Sequence, residues 1–199
     1  MTENTQLLDQ ASSFKNVTVD ARTREYLTEK EVEQLIEAAK ANRWGHRDAT
    51  AILIAYRHGL RASELVVLRW SDIELQTGRL HVRRAKSGTP SVHPISAREG
   101  RALPRLQREA PRSPYVFISE RGAPLSVAGY QRMVARTGDA ARFGFLVHSH
   151  MLRHGCGFKL AADGQDTRAI QAYLGHRSIQ STVRYTALAP DRFNNFWKD

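Results

Sequence analysis

Three short sequences follow one another in the C-terminal part of the chain: H-M-L-R-H at residues 150–154, L-G-H-R-S at 174–178 and T-V-R-Y-T at 182–186. Arg153 lies three residues after His150, so on a helix the two side chains share one face. His176 directly follows Gly175, a residue type that often ends a helix in the left-handed conformation. The pattern predicts two histidines and an arginine on neighbouring short helices.

The last of these sequences carries a tyrosine on a further predicted helix. Ile179 and Val183 form an apolar stripe of period four, and Tyr185 falls roughly opposite that stripe. We therefore expect Tyr185 to avoid the core face and to be free to meet a ligand.

A second group of residues stands far upstream, in the sequence G-L-R-A-S-E-L at residues 59–65. Gly59 is expected to end one helix, and Arg61 to begin the next. The free N–H groups and the dipole at a helix start favour an anion near Arg61. Glu64 follows three residues later and is placed to hold the guanidinium group of Arg61 in one rotamer.

The order and spacing of these motifs resemble the catalytic domain of the tyrosine recombinases, the lambda-integrase-like or phage integrase-like family. That family shows G-L-R-x-x-E-L, then H-x-x-R, then L-G-H, and finally a tyrosine about nine residues on. In size and layout the chain is similar to the fimbrial phase-switch invertases. The resemblance implies a mainly α (α+β) fold, in which a helical bundle carries a small three-stranded antiparallel sheet.

The resemblance also implies a catalytic set. It makes Tyr185 the nucleophile, and it makes Lys86, on the turn between the last two strands, the general acid. Composition alone would leave a turn lysine as a solvated side chain, so the assignment of Lys86 depends on the resemblance. The implied set is Arg61, Lys86, His150, Arg153, His176 and Tyr185, with Glu64 in a supporting role.

These residue types suit phosphoryl transfer on DNA. Guanidinium groups can bind the non-bridging oxygens of a phosphodiester, where negative charge grows in the transition state. A phenol with an ordinary pKa of about 10 needs nearby positive charge or a base before it can attack. The expected product is a 3′-phosphotyrosyl bond, which keeps the energy of the phosphodiester. No ATP, metal or other cofactor is therefore expected, and the sequence contains no P-loop, dinucleotide fingerprint or Cys/His metal spacing.

The remaining elements follow from periodicity. Alternating apolar and polar residues predict strands at 72–75 and 80–83, with a third, edge-like strand at 92–95. Helices are predicted from a capping box at Thr28, at Asp48–His58, at Ala97–Glu109 with an interruption or late start at Pro104, and at Val127–Thr137. Four residues on or near the predicted Val127–Thr137 helix are expected either to lie along the DNA backbone or to be ordinary surface residues: Tyr130, Arg132, Arg136 and Arg142.

The organisation of the chain is predicted in three parts. Residues 1–24 read as a flexible N-terminal arm, 25–188 as the catalytic domain, and 189–199 as a C-terminal tail. The arm is too short for the separate N-terminal DNA-binding domain that most tyrosine recombinases carry. Phe193, Phe196 and Trp197 make the tail apolar, and it either docks on a neighbouring protomer or folds back on its own chain.

Composition favours a nucleic-acid partner. The 199 residues contain 30 Lys+Arg against 20 Asp+Glu, a net charge of +10, and this excess favours binding to a polyanion. One cysteine, no apolar run of membrane-spanning length and no signal pattern indicate a cytoplasmic location. The expected partner is double-stranded DNA with specific recombination sites, bound by a dimer or tetramer.

Two other functions compete with site-specific recombination by inversion or by integration and excision. A type IB topoisomerase-like strand transferase would use a similar set of arginines, lysine, histidine and tyrosine. A DNA-binding regulator could keep the fold and lack cleavage, although every position of the implied set is filled. Exchange between two marked duplexes would distinguish a recombinase from the first, and covalent trapping would distinguish it from the second.

Overall fold

The computed structural model describes residues 25–85, 88–109 and 113–187. Within these ranges the chain forms eight α-helices, one short 3₁₀ helix and three strands. In chain order they are α1 (Glu29–Lys40), α2 (Gly45–Arg57), α3 (Ala62–Leu65), the 3₁₀ helix (Trp70–Asp72), β1 (Ile73–Glu74), β2 (Arg79–Val82), β3 (Ser91–Pro94), α4 (Ala97–Glu109), α5 (Val127–Ala140), α6 (His150–Ala162), α7 (Thr167–Leu174) and α8 (Gln180–Ala187). The arm, the tail and Lys86 lie outside the described residues.

Helix α2 is the centre of the bundle. Its residues from Asp48 to Tyr56 are all buried, and it packs against α1, α4 and α6. A helix that is apolar nearly all round is expected inside a protein. Helix α1 begins with the predicted capping box, in which the Thr28 hydroxyl and the Glu31 carboxylate bond each other's backbone N–H groups. The predicted helix at 48–58 is confirmed, but it begins three residues earlier, at Gly45.

The predicted three-stranded antiparallel sheet is confirmed, with strand order β1-β2-β3. Ile73 pairs with Leu80, and Leu80 pairs in turn with His93 on β3. Gly78 has φ +65° in the turn between β1 and β2, where a residue without Cβ meets little strain. Pro94, which has no N–H to donate, lies at the end of an edge strand.

Two predictions about the later helices need correction. Helix α4 begins at Ala97, so Pro104 lies inside the helix and does not delay its start. Helix α5 extends beyond Thr137 to Ala140, and its Tyr130 is buried in the hydrophobic core, where it cannot contact a DNA backbone. Among the described residues, no helix is both long enough and apolar enough to cross a bilayer.

Candidate active site

Glu64 is the buried carboxylate at one side of the site. Its Oε1 accepts from Arg61 Nη1 at 2.7 Å, and its Oε2 accepts from the Arg61 backbone N–H at 2.9 Å. Burial alone would raise the pKa of Glu64, but hydrogen bonds from Arg61 and Ala85 and the charge of Arg84 lower it. The pairing expected from the sequence is therefore present. Helix α3 is a single turn, so most of the positive charge here comes from arginines and little from a helix dipole.

Arg153 joins the upstream and downstream motifs. Its guanidinium group is buried and donates from Nη1 to Gly59 O and from Nη2 to Leu174 O, the latter at 2.8 Å. Nη1 also lies 3.9 Å from Glu64 Oε2. Burial and the neighbouring arginines lower the pKa of Arg153 to about 10, so the group keeps its charge at neutral pH.

His176 is held by the end of α7 and by α8. Gly175 adopts φ +66° and ψ 38°, the left-handed stop predicted from the sequence, and His176 follows it. The ring Nδ1 of His176 is 2.8 Å from Thr182 Oγ1. Burial, followed by the charges of Arg153 and Arg61, lowers the pKa of His176 to about 4. This ring is therefore neutral at physiological pH in the absence of DNA.

The orientation predicted for Tyr185 is wrong. Tyr185 is only 1% exposed, whereas Val183, expected on the core face, is 38% exposed. The reason lies on α6, where Gly157 leaves a gap that the Tyr185 ring fills: a Cβ at that position would lie 2.7 Å from ring atoms. Burial raises the pKa of the phenol, although the charges of Arg153 and Arg184 oppose the increase.

His154, which the sequence prediction omitted, contacts the tyrosine directly. Its Nδ1 is 2.8 Å from Tyr185 Oη, and its ring packs edge-on against His150 with centroids 4.4 Å apart. Burial, then the charges of His150 and Arg184, lowers the pKa of His154 to about 3. The ring is thus neutral, and in the tautomer that carries its proton on Nε2 the Nδ1 atom accepts the phenol proton. The only available sequence signal was its place at the end of H-M-L-R-H, one helical turn after His150.

A third arginine, Arg84, was also missed. It lies just after β2 with a fully buried side chain, and its Nη1 donates to Glu64 Oε2 at 3.0 Å. Three guanidinium groups, those of Arg61, Arg84 and Arg153, thus lie within 4 Å of one carboxylate. Three positive charges and one negative charge leave a surplus of two, of which an entering phosphodiester, with its single negative charge, would offset one.

The other predicted residues lie at the start of α6, on α5 and just after α5. His150 is the first residue of α6, and burial followed by the charge of Arg153 lowers its pKa. Arg132 and Arg136 are exposed on α5 and line a cavity of about 340 Å³, and Arg142 is exposed just after α5. Contact of these three arginines with DNA stays a prediction.

Fold and site together define a catalytic domain of the tyrosine recombinase type. Residues 25–192 match the phage integrase family, and the chain belongs to that family.

Two relatives match nearly the whole chain. It is 45% identical over 181 residues to the type 1 fimbriae regulatory protein FimE of Escherichia coli strain K12, covering 88% of this chain and 91% of that protein. It is 40% identical over 183 residues to the type 1 fimbriae regulatory protein FimB of the same strain, covering 89% and 92%. The tyrosine recombinase XerA of Pyrococcus furiosus is 34% identical over 184 residues, which cover 90% of this chain but 63% of XerA.

Solved structures agree with this assignment. The crystal structure of XerA recombinase superposes with a TM-score of 0.74 at 28% identity, covering 86% of this chain and 63% of that one. The XerH recombinase bound to its difH substrate gives a TM-score of 0.72 at 23% identity, covering 91% and 55%. The second comparison supports the fold alone.

Proposed function

We propose that this chain is a site-specific DNA recombinase that cuts and rejoins DNA strands through a 3′-phosphotyrosyl intermediate. One observation carries the proposal. Arg153 bonds Gly59 O, two residues before Arg61, and also Leu174 O, two residues before His176. A single buried guanidinium group therefore brings the two distant motifs together beside the helix that carries Tyr185.

The proposed cleavage step is an in-line displacement at phosphorus. Tyr185 Oη forms an O–P bond while the bond from phosphorus to the 5′-oxygen breaks. The phenol proton passes to its hydrogen-bond acceptor, His154 Nδ1, and the 5′-oxygen takes a proton from Lys86. Rejoining reverses the step, with a second 5′-hydroxyl attacking the phosphotyrosyl bond.

The remaining polar groups stabilise the charge of the transition state. Arg61 and Arg153 bind the non-bridging oxygens, and His150 and His176 supply further donors. Removal of one such donor typically costs about 3–4 kcal/mol of transition-state stabilisation. The surplus of positive charge around Glu64 supports this division of roles.

Helix α8 moves when the protein binds DNA. Tyr185 and Arg153 are each 1% exposed, so neither side chain meets a DNA phosphate until α8 moves. Helix α8 is short, and its outward face includes the exposed Val183. A small displacement of α8 away from Gly157 would bring the phenol to the surface.

The expected partners are duplex DNA with specific sites and further copies of the chain, in a dimer or tetramer on DNA. Similarity to FimE and FimB over nearly the whole length, together with the layout of phase-switch invertases, supports inversion above integration or excision. A type IB topoisomerase-like activity is less well supported, because the similarity to the tyrosine recombinase XerA extends over 90% of this chain.

Covalent trapping tests the proposal. Purified protein is incubated with a pool of nicked duplexes of randomised core sequence, in which cleavage releases a short strand and prevents rejoining. Adducts that survive SDS are isolated and their DNA is sequenced. We expect wild type to enrich a limited set of sequences and Tyr185→Phe to give no adduct, with unchanged DNA affinity.

Tyr115→Phe is the matched control, because Tyr115 packs against Arg69 and takes no part in the site. It should trap DNA like wild type. An adduct that survives in Tyr185→Phe would remove Tyr185 as nucleophile. DNA binding by wild type without any adduct would favour the non-cleaving regulator, and adducts without sequence enrichment would favour the topoisomerase-like enzyme.

A further inference from the structure

The Arg84 side chain is fully buried, although Arg84 lies beyond the end of β2, outside regular secondary structure. Strand β2 ends at Val82, and Lys86 lies two residues after Arg84. An arginine at such a place ordinarily extends into solvent, because taking a charge out of water costs several kcal/mol. The neighbouring Arg83 follows that rule: its side chain is 73% exposed.

The guanidinium group of Arg84 bonds three separate parts of the chain. Nη1 donates to Glu64 Oε2 at 3.0 Å and to Gly59 O at 3.4 Å. Nη2 donates to His58 O at 3.2 Å and to Tyr173 O near the end of α7. Gly59 O is also an acceptor for Arg153, so the two buried arginines are fixed relative to one another through one carbonyl group.

The residue after Arg84 is fixed by the same carboxylate. Ala85 N–H donates to Glu64 Oε1 at 3.0 Å, and this oxygen also accepts from Arg61 Nη1. Two consecutive residues before Lys86 are thus anchored to the group that orients Arg61. The anchoring does not depend on the β ladder, whose last pair is Val82 with Ser91.

Two glycines leave room for the buried side chain. A Cβ at Gly88 would lie 2.7 Å from Arg84 Cβ, and a Cβ at Gly175 would lie 2.6 Å from Arg84 Cγ. Gly88 comes shortly after the Lys86 turn, and Gly175 directly precedes His176. Gly88 and Gly175 therefore both lie against Arg84.

Stability alone does not account for this arginine. Apolar side chains commonly replace buried ion pairs without loss of stability, and here three arginines share one carboxylate. What a guanidinium group provides, and an apolar side chain does not, is five N–H donors in fixed directions. Such a group fixes the geometry of whatever it bonds.

We infer that Arg84 is a positioning residue for the general acid: it holds the start of the Lys86 turn in register with Arg61 and Arg153. This inference rests on the proposed function. A general acid must stand within hydrogen-bond reach of the oxygen it protonates, and a misplacement of about 1 Å can lower a rate about 10²-fold.

The general acid supplies one proton in the cleavage step. As the Tyr185 O–P bond forms and the bond from phosphorus to the 5′-oxygen breaks, the departing oxygen takes a proton from the Lys86 ammonium group. A 5′-sulfur in place of that oxygen leaves as a thiolate, since a thiol has a pKa of only about 8.5. A sulfur substrate therefore needs no general acid, and the requirement for a correctly placed Lys86 disappears.

The test compares suicide duplexes with a bridging 5′-oxygen or a bridging 5′-sulfur, using a sequence enriched by the wild-type protein. We expect Arg84→Met to slow adduct formation about 10²-fold on the oxygen substrate and to remain close to the wild-type rate on the sulfur substrate. Lys86→Met should show the same pattern. Arg83→Met, a change of the exposed neighbour paired with Asp72, should alter neither rate.

Near-UV circular dichroism shows whether Arg84→Met folds. If it does not, Arg84→Lys replaces it in the test, because this variant keeps the positive charge but has a single ammonium group in place of the planar guanidinium group. If a folded variant formed the adduct equally slowly on the oxygen and the sulfur substrate, the inference would be overturned, because Arg84 would then act on phosphate binding. Unchanged rates on both substrates would also overturn it. Absence of an adduct with wild type on either substrate would instead overturn the proposed function.

Discussion

Tyr185 lies so close to α6 that one added methyl group at Gly157 would strike its ring. The Cβ of an alanine there would be 2.7 Å from ring atoms Cε2 and Cζ. The phenol is thus held on two sides, by the surface of α6 around Gly157 and by the hydrogen bond to His154 Nδ1. Both contacts are made by α6, the helix that also carries Arg153.

Gly157→Ala should therefore destabilise the protein and disturb the nucleophile. Gly100→Ala is the matched control, since Gly100 also lies in a helix but a Cβ there meets nothing within 4 Å. Helix propensity alone favours alanine by about 0.5–1 kcal/mol at both positions. We expect Gly100→Ala to raise the free energy of unfolding, measured with urea, and Gly157→Ala to lower it. A stabilised Gly157→Ala would show that the ring does not pack as described.

His154 has a pKa of about 3 in the absence of DNA because it is buried among positive groups, among them Arg184 and Arg153. A ring with so low a pKa accepts a hydrogen bond but is a weak base. A bound phosphate would offset those positive charges and raise the pKa of His154.

Strand β3 is attached to the helices by a buried pair of histidines. His93 Nδ1 is 3.1 Å from His58 Nδ1, and His58 Nε2 is 2.7 Å from Glu99 Oε1. His93 Nε2 is 2.8 Å from Ser91 Oγ. An assignment that satisfies every contact has Ser91 donating to His93, His93 donating to His58, and His58 donating to Glu99. The His93 ring also stacks on Tyr173, with centroids 3.7 Å apart.

His93→Phe keeps the ring but removes two hydrogen bonds, so His58 Nδ1 is left buried without its donor. We expect a loss of about 1–3 kcal/mol in the free energy of unfolding. His81→Phe is the control, because His81 is on the same sheet and its pairing with Glu74 is largely exposed; it should cost about 1 kcal/mol or less. Urea denaturation of both variants measures the difference, and equal losses would contradict the network.

Among the described residues, four histidines share a depressed pKa for the same physical reason, and for three of them the pKa falls to about 4 or below; His150 is the fourth. Burial, aided by nearby positive charge, lowers the pKa of His93 to about 3, of His154 to about 3 and of His176 to about 4. In the unfolded chain each would titrate near about 6.5. Between these values the unfolded state binds more protons, so the free energy of unfolding rises with pH.

We therefore expect this contribution to the free energy of unfolding to be fully present above about pH 6.5 and to be lost as the pH falls toward about 3. The lowered pKa values of Glu64 and Glu99 add a further loss below about pH 4.5, where these carboxylates would protonate in the unfolded state. Urea unfolding between about pH 7 and about pH 5 measures the slope, and His93→Phe should reduce it. A free energy of unfolding that stays constant over this range would contradict the expectation.

Much of the fold followed from local signals. The capping box at Thr28, the left-handed Gly175 and the strand alternation depend on neighbouring residues, and each is found as expected. The pairing of Arg61 with Glu64 also depends on residues three positions apart. The orientation of Tyr185 was missed, because the apolar stripe on α8 gave no information about the gap at Gly157 on another helix.

The sequence by itself determined the family, the order of the elements and most of the polar residues at the site, because motifs of fixed spacing and short-range hydrogen bonds are visible along the chain. Only the tertiary structure showed the inward orientation of Tyr185, its bond to His154 and the burial of Arg84. Those features depend on contacts between residues 20 or more positions apart, such as Arg84 with Glu64 and His154 with Tyr185 at separations of 20 and 31. No local pattern encodes such contacts, since the packing of whole helices decides which side chains meet.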